Sequence, residues 1–360
     1  MVTLRQRIDL RDTGMEFEGE NLKRAVLWEA SGEDKKVQCK LCAHQCVIGD
    51  GKTGRCFVRK NVNGALYSLN YNKVCSANPD PIEKKPLFHF QPGTRSFSIA
   101  TMGCNFRCDF CQNWQISQAA IEDGRINGEA MSPEQIVTAA VRSGCKSIAY
   151  TYTEPTIFME LCADCGPLAK KQGLANVFVS NGYQTTEAID FTREWLDGIN
   201  VDLKAFSEDY YKRLCKARLG PVLDAITYIA KETNIWLEIT TLLVPGENDS
   251  DEELKKLADF IVNEASPDVP WHISRFYPQY KYLDAVPTPV SSLERAAEIG
   301  KSAGLHYVYL GNVPGSKSES TFCYNCGRIL IERVGYRILA NRITNSTCPD
   351  CGTKIAGFEL

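Results

Sequence analysis

The run Ala100-Thr-Met-Gly-Cys104-Asn-Phe-Arg-Cys108-Asp-Phe110-Cys111-Gln-Asn113 sets three cysteines at C-x3-C-x2-C spacing directly behind a strand-like segment. Three thiolates this close suit a cuboidal iron–sulfur cluster. Three ligands leave one of its four irons without a protein partner, and an open metal position is where a catalytic centre holds what it acts on. No fourth cysteine follows closely in sequence, the next being Cys145. A zinc knuckle short of one ligand, or three unconnected core cysteines, would carry the same letters. A triplet placed just after a strand is more specific than either.

Outward from the triplet the chain becomes rhythmic. Strand-like runs are Ser96–Thr101, Ser147–Tyr152, Asn176–Ser180, Ile199–Leu203, Ile235–Val244, Trp271–Phe276 and His306–Leu310. Helix start signals fall between them: Ser132-Pro-Glu-Gln135, Ser250-Asp-Glu-Glu253 and Ser291-Ser-Leu-Glu294 all read as capping boxes. Leu254, Leu257, Ala258, Ile261 and Val262 make one apolar helical stripe. Alternating strands and helices imply a parallel sheet with helices outside it. Too few units are present for a closed eight-fold barrel. The expected fold is therefore α/β, an open partial barrel of the (β/α)6 type, with its site at the C-terminal ends of the strands. The cysteine triplet follows the first strand at that end.

Two further cysteine groups flank this region. Cys39, Cys42, Cys46 and Cys56 staple a glycine-rich loop segment that lacks a core of its own, and a four-thiolate centre would stabilise it. The spacing suits zinc or an iron–sulfur cluster, and His44 could replace one ligand. Cys323-Tyr-Asn-Cys326-Gly327 and Cys348-Pro-Asp-Cys351-Gly352 flank a short β-rich stretch, which reads as a zinc ribbon, with a rubredoxin-like iron site as the weaker option. Cys162 and Cys165 share a helix face and, with Cys75, Cys145 and Cys215, read as buried small hydrophobes. The division expected is a cysteine-rich segment over 1–94, the partial barrel over 95–312 and a four-cysteine extension over 313–360. Glu16–Leu27 reads as a short helix or a docking arm. Prolines 79, 81, 86 and 92 keep the approach to the barrel extended over its mouth, with Glu83, Lys84 and Lys85 expected in solvent.

Composition excludes several classes. The chain has 360 residues, 44% of them hydrophobic, and a formal net charge of −3. That leaves no polybasic field for nucleic acid or an anionic membrane. No apolar run approaches a bilayer span, and the first residues lack a signal-peptide core. Sixteen cysteines, most of them in pairs and triplets, point to metal sites in a reducing compartment, hence a cytoplasmic expectation.

Alternation along strands selects the inward faces. Asp202 and Lys204 share a face opposite Val201 and Leu203. Thr151 and Thr153 share another, with Glu154 ending that strand. Asn181 follows the next, and His272 and Ser274 oppose Trp271 and Ile273. Buried charges such as Lys204 and Asp202 need partners.

These residues carry a resemblance. With Cys39-Lys-Leu-Cys42-Ala-His-Gln-Cys46, Asp80-Pro-Ile-Glu-Lys-Lys-Pro86, Gly103–Asn113, Tyr152-Thr-Glu-Pro155, Val201-Asp-Leu-Lys204, Val244-Pro-Gly246, Trp271–Phe276 and the terminal knuckles, the chain resembles the radical S-adenosylmethionine (SAM) enzymes of the AmmeMemoRadiSam system. That group is similar to the pyruvate formate-lyase activating enzymes. The resemblance implies a [4Fe-4S] cluster on Cys104, Cys108 and Cys111 and SAM on its open iron. Phe110, Glu154, Asn181, Asp202, Lys204 and His272 would form the cofactor-binding set. Within it, Lys204 would meet the SAM carboxylate, Glu154 its amino group, and Asp202 a monovalent cation. It further implies a flavodoxin or ferredoxin reductant, and a protein glycine or a small molecule as substrate, or other partners from that system. One departure is Thr153-Glu154-Pro155 where activating enzymes usually carry Gly-Gly-Glu. The rival reading is an electron-transfer or interaction protein without radical chemistry.

Overall fold

The computed structural model describes residues 22–32, 34–313 and 317–360. The arm expected from Glu16 lies, through residue 21, outside the described residues. The short strands Lys23–Arg24 and Trp28–Ala30 follow it.

The central sheet has nine strands: β1 (Lys73–Pro81), β2 (Arg95–Thr101), β3 (Glu129–Ala130), β4 (Ser147–Tyr150), β5 (Ala175–Ser180), β6 (Gly198–Asp202), β7 (Trp236–Leu243), β8 (Trp271–Arg275) and β9 (Val308–Gly311). Their order is β9-β8-β7-β6-β5-β4-β2-β1-β3. From β2 to β9 the seven neighbours are parallel, with Ser147 opposite both Ser96 and Ala175. The expected (β/α)6 count is thus one strand low. Both faces of these strands are covered, so β2 and β4 read as continuous apolar or small runs buried at nearly every position. The proline-rich approach is not merely extended: Lys73–Pro81 pairs antiparallel with β2 and carries the two-residue β3 on its outer side.

The longer helices between the strands are α1 (Pro133–Arg142), α2 (Met159–Lys171), α3 (Thr186–Thr192), α4 (Gly220–Glu232), α5 (Asp251–Phe260) and α6 (Val290–Ala303). Ser132 forms the full capping box with Gln135, a device contributing about 1 kcal/mol. At α5 only half of the box forms. Ser250 accepts from the Glu253 amide, but the Glu253 carboxylate is drawn away to the Phe206 amide at 2.8 Å. The cap expected at Ser291 is absent. Pro289, extended by its ring, already offers its carbonyl to the Ser292 amide, so α6 begins at Val290.

The cysteine-rich segment folds into two three-stranded antiparallel sheets. Its buried Val37, Leu41, Ile48, Val58 and Leu66 belong to one continuous core with the main sheet and helices. The C-terminal extension has a three-stranded sheet and a smaller core, shared with Phe88, Tyr307 and Tyr309. No helix among the described residues is long and apolar enough to cross a membrane.

Candidate active site at the strand ends

β2 ends at Thr101, and the chain turns through Gly103 into the triplet. Gly103 has φ +108°, and a Cβ there would stand 2.8 Å from the Val58 side chain. Glycine is needed both for the backbone and for the close approach. Cys104, Cys108 and Cys111 then line a cavity of about 300 Å³. The Phe106 amide donates to the Cys104 Sγ at 3.4 Å, and the Cys111 Sγ lies 3.2 Å from the Ser117 hydroxyl. Burial, then the nearby Glu154, raises the Cys104 pKa well above the ordinary thiol value. Burial and Cys108 raise that of Cys111. Cysteines ligate metals as thiolates, so a cation bound here would have to offset these upward shifts. Sequence spacing put the next cysteine far away, yet the fold brings buried Cys215 against Cys108. Cys215 stays behind Cys108, outside the residues lining the cavity.

Phe110, Glu154, Asn181, Asp202 and Lys204 line the same cavity. Lys204 Nζ lies 2.9 Å from the Asp202 carboxylate. Burial opposes its charge, but Asp202 and the nearby thiols outweigh burial and raise its pKa. Val201 and Leu203 are buried on the opposite face, as alternation required. Glu154 is more heavily engaged than expected. Its Oε1 accepts from the Ser180 hydroxyl at 2.8 Å and from the Thr156 amide and hydroxyl, and its Oε2 accepts from the Asn181 amide at 2.8 Å. Glu154 therefore shapes the Ser180–Asn181 turn that borders the cavity. The Thr240 hydroxyl, also on this wall, is buried without a hydrogen-bond partner.

Residues 98–261 match the Radical SAM superfamily model. An uncharacterized protein of Methanocaldococcus jannaschii is 44% identical over 336 residues, covering 93% of this chain and 99% of that one. The chain belongs to the radical SAM superfamily. A putative glycyl-radical enzyme activating enzyme of the same organism is 28% identical, covering 60% of this chain and 78% of that one. A pyruvate formate-lyase-activating enzyme of Listeria monocytogenes is 26% identical, covering 58% of this chain and 81% of that one.

Membership implies a [4Fe-4S] cluster and SAM, and the donor set fits both. The buried Cys108 and the half-buried Cys104 and Cys111 face one cavity, a cation and an unpaired hydroxyl face the same space, and Asn181 reaches toward Cys104. His272 stands elsewhere. It pairs with Glu238 at 2.6 Å and lines an adjoining cavity of about 950 Å³ with Phe88, Tyr309 and Tyr336. The two cavities share Lys84, Gln112, Asn113, Ser274 and Asn312 as walls.

The largest miss of the sequence reading is at Asp80–Lys85. Glu83 and Lys85 are buried, not solvated. The Asp80 carboxylate accepts from Lys84 at 2.8 Å, Lys85 at 2.7 Å, the Ser98 hydroxyl at 2.9 Å and the Tyr152 hydroxyl. Lys84, Lys85 and Tyr152 face the triplet's cavity. Tyr152 holds φ +64°, a left-handed conformation costly for a bulky residue and characteristic of functional sites. The run of charges resembled a solvated face. Only the returning antiparallel strand β1 turns it inward.

The C-terminal cysteines do converge. Cys323–Cys351 and Cys326–Cys348 sulfurs lie 3.6 and 3.7 Å apart, and all four lie within 4.8 Å of one another. Four sulfurs around one ion at a Zn–S distance of about 2.3 Å would sit roughly 3.8 Å apart. Gly327 and Gly352 take φ +73° and +74°, turning the Arg328 and Thr353 amides onto Cys326 and Cys351. This unit also braces the segment carrying Lys84 and Lys85: Arg333 donates to the Phe88 carbonyl at 2.7 Å, and Phe358 to that of His89 at 2.7 Å. Cys323→Ser or Cys348→Ser is expected to remove bound metal and lower the thermal midpoint while SAM binding at the triplet persists. Loss of SAM binding in a folded variant would tie this unit to the chemistry instead.

Proposed function

We propose that this protein is a radical SAM enzyme of the activating-enzyme type, abstracting a hydrogen atom from a substrate that enters through the cavity beside His272. The observation that carries the reading is the convergence of Cys104, Cys108 and Cys111 with Lys204, Asp202 and Thr240 around one cavity. With SAM bound, the reduced [4Fe-4S] cluster supplies a 5′-deoxyadenosyl radical. The chain's own part is to bind, orient and exclude water. Cys104, Cys108 and Cys111 hold three irons. Lys204 meets the SAM carboxylate, while Asp202 keeps the lysine charged until it does. Asn181, its amide held by the Glu154 carboxylate, would border bound SAM. Lys84 borders both cavities, with Lys85 and Tyr152 beside it on the wall of the triplet's cavity, where a substrate's polar group would pass. The relatives that activate glycyl-radical enzymes favour a backbone glycine as the hydrogen donor, with a flavodoxin or ferredoxin as reductant. The AmmeMemoRadiSam resemblance and zinc at the terminal cysteines belong to the same proposal.

Lys204→Met tests it. A charge-assisted bond contributes about 1.5–3 kcal/mol, so its loss is expected to raise the SAM Kd by about tenfold or more. Reductive formation of 5′-deoxyadenosine should fall in parallel, with iron content near wild type. Normal SAM binding in this variant would mean that another cation holds the carboxylate. No SAM binding by the wild-type protein would favour the electron-transfer reading.

A further inference from the structure

We propose that Cys39, Cys42, Cys46 and Cys56 hold a second iron–sulfur cluster, through which electrons from an acidic one-electron carrier reach the cluster at Cys104. The inference rests on the proposed radical SAM chemistry for its purpose, but on separate residues for its site.

The four cysteines surround a small enclosed cavity with His44, Asn105 and Arg59 on its wall. Their spacing can be compared with the other two groups in the same chain. The terminal four gather within 4.8 Å as ligands of one ion would, a closeness confined to them among the described residues. Neither the triplet nor the N-terminal four draw together so tightly. Ligands on separate corners of a cuboidal cluster stand farther apart than ligands sharing a single ion. By this measure the N-terminal four resemble the triplet, not the terminal group.

Two buried groups point the same way. The Arg59 guanidinium is 2% exposed and lies close to Cys39 and Cys56, and its Nε–H has no partner. An unpaired charged donor is costly to bury. A cluster with four thiolates carries net negative charge and offers sulfur acceptors, which would satisfy it. His44 is not available as a ligand through Nε2, which bonds the Asn105 carbonyl at 2.9 Å.

That bond also connects the two sites. Asn105 follows Cys104 directly, and its side chain accepts from Asn181 at 2.7 Å. The Cys56 carbonyl backs onto Gly103, 3.4 Å from where a Cβ would be. Outside, Arg55 adjoins Cys56, Arg107 lies over the Phe57 ring at 5.6 Å, and Arg218 reaches the backbone of Ala43 beside Cys42. None of the three forms an ion pair with a carboxylate among the described residues. Arg55 and Arg218 instead donate to the carbonyls of Lys216 and Ala43. A positive patch on a chain of net charge −3 suits an acidic carrier. Each handover moves one electron and no proton: the carrier is oxidised, the outer cluster reduced and reoxidised, and the cluster at Cys104 reduced.

Iron, acid-labile sulfide and zinc counts on anaerobically prepared protein test the site. The triple variant Cys104→Ala/Cys108→Ala/Cys111→Ala is expected to keep about half of the wild-type iron and sulfide, with a paramagnetic signal indifferent to SAM. Cys46→Ser, at the half-exposed ligand, should lose the other half and keep the SAM-sensitive signal. A triple variant holding zinc and no iron would overturn the second cluster and leave the proposed function standing. A wild-type signal insensitive to SAM would instead sink that function. The port is tested by Arg55→Glu/Arg218→Glu. Reduction of the SAM-sensitive cluster by a bacterial flavodoxin should slow about tenfold while reduction by dithionite is unchanged. Equal rates with flavodoxin would overturn the port.

Discussion

Replacing Cys104, Cys108 or Cys111 by alanine is expected to abolish 5′-deoxyadenosine formation and the SAM-sensitive paramagnetic signal. The three side chains line one cavity and come from a single turn behind β2. Cys215 beside Cys108 is the one thiol that could be imagined as a substitute. It is buried and off the cavity wall, so it cannot take the place of Cys104 or Cys111. Turnover should fall below detection in each variant while the circular dichroism spectrum stays native, because the turn is held from outside by hydrogen bonds from the Gly103, Arg107 and Asp109 amides to the carbonyls of Ile116, Cys215 and Leu214. Residual cleavage of SAM in all three variants would contradict the assignment. Partial activity in the Cys108 variant alone would identify Cys215 as a rescuing ligand.

Arg59→Met is expected to be strongly destabilising, although Arg59 lies outside the central sheet. Arg59 and Glu160 are both buried, and they join the cysteine-rich segment to α2 by two bonds of 2.8 and 3.2 Å. Arg59 also donates to the Val26 carbonyl, and Glu160 accepts the Val26 amide. Removing the guanidinium leaves a carboxylate buried with one amide for company. Breaking a buried pair in this way costs about 3–5 kcal/mol, which should lower the Tm by roughly 10 °C. Adding Glu160→Leu should recover much of the loss, because the penalty comes from the uncompensated charge and not from the missing pair. A single variant as stable as wild type would mean that water reaches Glu160, and that the segment docks on α2 less tightly than its core residues suggest.

Much of the site was legible because chemistry and period coincide in the sequence. The triplet needs only its own spacing. Strand alternation was enough to turn Asp202 and Lys204 to one side and Val201 and Leu203 to the other, since the period of two admits only one register that buries the apolar pair. The knuckles Cys323–Cys326 and Cys348–Cys351 carried their turn glycines with them. Where the reading failed, a distant partner had changed the value of a local signal. Glu253 was a good capping glutamate until the Phe206 amide competed for it. Glu154 could be placed at the site, but not its engagement with Thr156, Ser180 and Asn181.

Thus the sequence alone determined the α/β class, the grouping of Cys104, Cys108 and Cys111 behind the first parallel strand and the strand faces that form the cavity, all of which follow from spacing over a few residues. Only the tertiary structure decided that Lys84, Lys85 and Tyr152 join that cavity, that Cys215 lies against Cys108, and that His272 belongs to the neighbouring space. Those outcomes depend on which strands pair and which segments return. Strand β1 running back along β2, and Arg333 clamping Phe88 from the far end of the chain, are contacts between residues far apart in sequence. Their energy is gained only once the chain has closed the intervening loops, and no local pattern of residues records it.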